Sequence, residues 1–343
     1  MTNDPAIEWL LANAPTGGNT LWLCDEHFYN QSARLPNDHN EYITNRFDIA
    51  RQLKGADLPC HFNDFDVRHI ADYSRDAIVY RISKEKPVVH HVIEQAAKKL
   101  KPSGLLLIAG LKSEGAKSIL EHAAKTLGAA KGTRKEGLAY CAILSSQAEK
   151  ISTSSNYSEL RTHPILPQYF TKPGQFGWQK VDAGSEFLIS TLESQTAIQQ
   201  AGSLLDLGCG YGFLALESLN RVLTHRPATI VLTDNNAAAL VCAQKNTEYL
   251  AQCDVIAADV GDEVRGQFDL IVCNPPFHQG FQLSGDLTDR FLTSTKRLLK
   301  QGGHAYFVVN AFIPLESKAH KHFEYVNLIA NNNQFKVVEL KHF

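Results

Sequence analysis

The chain has 343 residues, 44% of them hydrophobic and 20% charged, with a formal net charge of −2. This is the composition of a globular protein long enough for two domains, with no low-complexity tract. Its longest apolar runs, such as Leu105–Leu111, are far too short to cross a bilayer.

The opening "MTNDPAIEWL" has no basic region followed by an apolar core, so no signal peptide is expected. The first strand is predicted in "NTLWLCDE". A second apolar run, "DAIVYRISKEKP" (Asp76–Pro87), leads into the basic helix and long strand of "AAKKLKPSGLLLIAG". Charge is unevenly spread: residues 1–80 sum to −6, residues 81–135 to +8, and residues 136–343 to −4. The positive block includes Lys84, Lys86, Lys112, Lys117, Arg134 and Lys135. A local patch of this kind can neutralise a phosphate backbone even in a nearly neutral chain. Residues 1–150 are read as one domain. Residues 151–171, polar and punctuated by proline, are read as a linker.

From residue 172 onward, strands and helices alternate. Strands are predicted at "SLLDLG", "ATIVLTD", "CDVIAAD", "FDLIVCN" and "HAYFVVNAF", with helices between them. Continuous apolar strands separated by helices predict an α/β fold, a parallel sheet covered on both faces. The tail "EYVNLIANNNQFKVVEL" predicts a hairpin that puts an antiparallel strand at the edge. "STKRLLKQGGHAYFVVNA" repeats the basic helix, glycine and strand order of "AAKKLKPSGLLLIAG", which suggests an internal duplication. The seven cysteines are odd in number, scattered and without a C-x-x-C, so free thiols in a reducing cytoplasm are expected. No His/Cys group has metal-ligand spacing, and no metal is expected.

"LLDLGCGYGFLAL" joins a predicted strand to a predicted helix, with Gly208, Gly210 and Gly212 in the turn. Such glycines let a ligand lie against bare main chain. Asp206 precedes the loop, suited to a cationic or amine end of a ligand. Asp234 closes the next strand, 22 residues after Gly212, where it can hold two ribose hydroxyls. Asp259 closes the third strand, where a carboxylate can take an adenine amino group. A dinucleotide loop would read G-x-G-x-x-G; G-x-G-x-G with an acid before it resembles the S-adenosylmethionine loop of class I methyltransferases.

"FDLIVCNPPFHQG" ends a buried strand in Asn274, Pro275, Pro276 and Phe277. A conjugated amine is a poor nucleophile because its lone pair is delocalised. The Asn274 side-chain oxygen and the Pro275 carbonyl can accept its two hydrogens and aim the lone pair, while Phe277 stacks on the base and the prolines stiffen the loop. This motif suits adenine N6, guanine N2 and glutamine amides alike. His278 is adjacent.

With "NPPFH", "LLKQGGHAYFVVNAF" and the leader "KPGQFGWQKVDAGSEFLIST" (Lys172–Thr191), the chain resembles the ribosomal RNA small subunit methyltransferase C family. The resemblance implies two tandem Rossmann-like methyltransferase domains. Each is a seven-stranded, mostly parallel sheet with an antiparallel edge strand, the first degenerate and cofactor-less, the second (residues 172–343) catalytic. It implies transfer of a methyl group from S-adenosylmethionine to N2 of a guanine in 16S rRNA of the 30S subunit, by a cytoplasmic monomer. It further implies Phe176 and Asp182 near the cofactor, with Asn274 also at its edge. The family's usual Ser after that Phe is Gly177 here. The alternatives are the sister family acting on 23S rRNA, adenine N6 in RNA or DNA, and a non-catalytic RNA-binding protein that kept the fold.

Overall fold

Runs of apolar residues that carry no helical period become central strands in both halves of the chain. The computed structural model describes residues 4–130, 132–147, 156–276 and 285–343. Phe277 and His278 lie outside them. Backbone contacts divide the chain into two units, Met1–Glu159 and Leu160–Phe343.

The first unit runs α1 (Pro5–Asn13), β1 (Thr20–Cys24), β2 (Asn40–Thr44), α2 (Phe47–Gly55), β3 (Cys60–Phe62), β4 (Arg75–Arg81), α3 (Lys86–Lys99), β5 (Leu100–Leu111), α4 (Ala116–Thr126), β6 (Arg134–Glu136) and β7 (Ala139–Ser145). The second begins with a small hairpin, β8 (Arg161–Thr162) and β9 (Phe170–Thr171). It continues with α5 (Ala183–Leu192), β10 (Ser203–Leu207), α6 (Phe213–Glu217), β11 (Thr229–Asp234), α7 (Ala237–Thr247), β12 (Cys253–Ala257), β13 (Phe268–Cys273), α8 (Gly285–Leu298), β14 (Leu299–Asn310), α9 (Leu315–Ala319), β15 (Tyr325–Asn331) and β16 (Phe335–Lys341). The stretch read as a linker through residue 171 thus ends earlier. The Asn246 side chain accepts from Phe170 N at 2.6 Å and donates to Phe170 O at 2.9 Å, fastening the hairpin to α7.

The two sheets have the same strand order: β3-β2-β1-β4-β5-β7-β6 and β12-β11-β10-β13-β14-β16-β15. In each, the first five strands are parallel, and the sixth runs against them, pairing antiparallel with both its neighbours. Each sheet is buried on both faces. In the second unit Leu204, Leu270, Val272 and Tyr306 pack under α5 and α6, while Leu205, Ile271, Cys273 and Phe307 pack under α8 and α9. Parallel strands covered in this way must be apolar at successive positions, which is why they read as continuous runs.

The register aligns the two units residue by residue. Trp22 pairs with Val79 and Tyr42, as Asp206 pairs with Val272 and Leu232. Two residues further along each strand, Cys24 stands where Gly208 does, Thr44 where Asp234 does, and Arg81 where Asn274 does. These three positions of the cofactor and base reading are therefore replaced in the first unit, while the fold is kept.

Candidate active site

In an open α/β sheet, ligands bind beyond the carboxyl ends of the strands, where the connections diverge. β10, β11 and β13 bring the glycine loop, Asp234 and Asn274 to that edge in the second unit.

The loop's amides are used by the protein itself. Gly208 N and Cys209 N both donate to Thr233 O at 2.9 Å, Gly212 N donates to Cys209 O at 2.8 Å, and Gly210 N donates to Asp234 Oδ2 at 2.9 Å. A phosphate-binding loop would instead aim these amides at its ligand. What the loop offers is bare surface. A Cβ at Gly208 would meet nothing within 4 Å, and one at Gly210 only Gln175 Oε1 at 3.8 Å. Gly212 has a packing reason as well. With φ of +93° its Cβ would lie 2.9 Å from Leu232 Cδ2, so this glycine lets α6 pack against β11.

The acids divide by role. Asp234 also accepts from Asn236 N at 2.8 Å, so both its oxygens are oriented by backbone at the loop's rim. Asn236 caps α7 and donates from Nδ2 to Gly174 O at 3.0 Å, which draws the leader segment over this edge. Asp206 was expected to meet a ligand. It is 0% exposed, and its carboxylate accepts from Ala215 N at 2.9 Å in the first turn of α6. Burial pushes its pKa up to about 7, against the pull of that amide. Its part is to fix the turn from strand to helix beneath the loop. Asp259 lies two residues beyond β12 and pairs with Arg290 of α8, so an adenine amino group would share this carboxylate with a guanidinium.

Asn274 is half-buried at the end of β13, between buried Cys273 and Pro275; Pro276 is exposed. Its Nδ2 donates to Asp182 Oδ2 at 2.6 Å and to Ser185 Oγ at 2.9 Å. Both amide hydrogens are thereby engaged, and the side-chain oxygen is turned away from these partners. Asp182 is the N-cap of α5 and accepts from Ser185 N at 2.8 Å. The structure therefore ties Asp182 to the Asn274 amide, where the sequence reading places it near the cofactor. Ser185 is not among the residues singled out in the sequence; its signal is the capping spacing of "DAGS" just before an apolar helix. Phe176 is 64% exposed in the leader. Gly177 beside it has φ of +73°, which a serine would adopt only under strain.

In the first unit the same edge is closed by ion pairs. Arg81, 0% exposed, donates from Nε to Asp4 Oδ2 at 3.0 Å and through NH1 and NH2 to Glu114 at 2.6 and 3.0 Å. Asp4 caps α1 just as Asp182 caps α5. His27 completes the network, 2.9 Å from Asp25 and 3.7 Å from Glu114. The six cations singled out in the sequence are all exposed, and none takes part in an ion pair among the described residues. Lys84, Lys86, Lys112 and Lys117 cluster around the carboxyl ends of β4 and β5, and Arg134 and Lys135 lie on the edge strand β6. Among the described residues no helix is long and apolar enough to cross a membrane.

Residues 168–339 match the family model of the methyltransferase small domain, half of the chain. A ribosomal RNA small subunit methyltransferase C of Haemophilus influenzae is 31% identical over 86% of this chain and 85% of its own. The chain belongs to the ribosomal RNA small subunit methyltransferase C family. A member from Mannheimia succiniciproducens is 30% identical over 85% of this chain and 84% of its own. The T. thermophilus 16S rRNA N2 methyltransferase (RsmC), solved in complex with AdoMet and guanosine, superposes with a TM-score of 0.84, covering 100% of this chain and 93% of that one at 23% identity. That likeness extends the shared fold to both units, including the half that the family model leaves unmatched.

Proposed function

We propose that this chain transfers a methyl group from S-adenosylmethionine to the exocyclic N2 amino group of a guanine in 16S rRNA. The observation that carries this reading is the Asn274 amide at the strand edge beside the glycine loop, its nitrogen held by Asp182 and Ser185 and its oxygen turned away from them. Membership of a family whose members are named for the small subunit rRNA supports the substrate.

The residues present fit the cofactor. Gly208 and Gly210 expose a surface that any Cβ would fill, and Asp234 stands at the rim as an oriented acceptor pair for ribose hydroxyls. When bound, S-adenosylmethionine supplies a methyl group activated by its sulfonium charge. Asn274 Oδ1 and the Pro275 carbonyl accept the two hydrogens of the guanine amine, which turns its lone pair out of conjugation and along the line of attack. The methylated nitrogen is acidic enough to lose its proton without a strong base. The first unit, with Arg81 where Asn274 stands and Cys24 for Gly208, is assigned no cofactor and the task of gripping RNA through its exposed lysines. The enzyme works as a monomer in the cytoplasm, where ribosomal subunits are found.

Asn274→Ala tests the assignment. Methyl transfer in a single turnover should fall by roughly 10²–10³-fold, the cost of losing one oriented acceptor at a developing charge, while calorimetry shows S-adenosylmethionine affinity far less changed. Transfer at the normal rate in this variant would overturn the role of Asn274.

A further inference from the structure

The first unit holds a second cluster of chemistry at the opposite, amino-terminal ends of its strands. A depression of about 810 Å³ is lined there by Asn19, Glu41, His61 and Arg75 among others. Glu41 on β2, His61 on β3 and His69 in the following loop converge. His69 Nε2 lies 3.1 Å and His61 Nε2 3.4 Å from the same oxygen, Glu41 Oε1, and all three ligand atoms lie within 4.8 Å of one another. The two rings sit with centroids 4.6 Å apart.

We propose that Glu41, His61 and His69 form a binding site for a divalent transition-metal ion of the zinc type. Two imidazoles and one carboxylate are a sufficient donor set for such an ion, with a fourth position left for water. Bonds of 2.0–2.1 Å in a tetrahedron put neighbouring ligand atoms about 3.3–3.4 Å apart, close to the two separations found here. Arg75 pairs with the other oxygen of Glu41. That leaves Oε1 for the ion and orients the carboxylate. The side chains of His61 and His69 are 53% and 41% exposed, open to an incoming ion. The other such group among the described residues, Asp25, Glu26 and His27, is instead committed to the network around Arg81 and Glu114. Bound metal would clip the three-residue edge strand β3 and its loop to the body of the sheet. The ligands are 20 and 8 residues apart in sequence, which matches no metal motif; only the parallel pairing of β2 and β3 brings them together.

The test uses the full chain, stripped with a chelator and titrated with zinc chloride by calorimetry. One zinc should bind per chain, and either His61→Ala or His69→Ala should weaken it by roughly tenfold or more, while the exposed His225→Ala leaves it unchanged. Zinc should raise the melting temperature of the parent chain and not of the two variants, whose circular dichroism reports whether they are folded. No saturable binding, or binding retained when both histidines are replaced, overturns the proposal.

Discussion

At the scale of residues, the site depends on an amide that cannot turn over. Asn274 has two donors and two partners, Asp182 and Ser185, and reversing it would set its oxygen against a carboxylate. Asp182→Asn removes the charge that enforces this orientation and keeps the cap of α5. We expect kcat to fall by about 10–100-fold with little change in KM for S-adenosylmethionine, and Ser185→Ala to show a weaker version of the same split. Equal losses in kcat and in cofactor affinity would place Asp182 at the cofactor after all. Asn274 itself was legible in the sequence because a rigid Asn-Pro-Pro at the end of an apolar strand has few structural uses. Its supports were not, because they come from a helix cap some ninety residues away in the chain, and only the packing of α5 on the sheet brings them together. Asp206 was misread for a related reason: a strand residue's facing is set by register, which a single sequence does not display.

At the scale of elements, the first unit closes with an ion network the edge at which the second unit carries Asn274. Arg81 replaces the asparagine, Asp4 keeps the capping role of Asp182, and Glu114 and His27 complete a buried ion network. Arg81→Ala would strand two carboxylates and should destabilise this unit by about 3–5 kcal/mol. His27 adds a pH dependence. Burial opposes its charge, but Asp25 and Glu114 overcome that and raise its pKa to about 10. A histidine held protonated in the fold contributes fully below its unfolded pKa of about 6.5, and the contribution is lost as pH rises through 10. Thermal melts should therefore show the first unit weakening between about pH 7 and pH 10, and His27→Gln should flatten that decline. A melting profile of the parent chain that is level across this range would contradict the network's role. The duplication of elements was visible as a repeated basic helix, glycine and strand. The residue correspondences were not, because no single offset aligns the halves: Asp4 and Asp182 are 178 residues apart, Trp22 and Asp206 184, Val79 and Val272 193.

At the scale of the whole molecule, two copies of one fold stand in one chain, and we propose that chemistry and grip are divided between them. The +8 block was apparent from charge counting alone. The structure sorts it, placing Arg81, Lys99 and Lys101 in ion pairs and leaving Lys84, Lys86, Lys112 and Lys117 exposed. Replacing these four by alanine should weaken RNA binding and lower the slope of log affinity against log salt by about 0.7–0.9 for each phosphate no longer neutralised. S-adenosylmethionine affinity should be untouched. An unchanged salt slope would move the RNA to another surface.

The most direct measurement is the identity of the methylated nucleoside. The purified chain would be incubated with tritiated S-adenosylmethionine and, separately, 30S subunits, 50S subunits and free rRNAs that lack the modification, and the RNA digested and resolved. The account predicts label in N2-methylguanosine of 16S rRNA, lost with Asn274→Ala. Label confined to 23S rRNA, or recovered as methyladenosine, would contradict it.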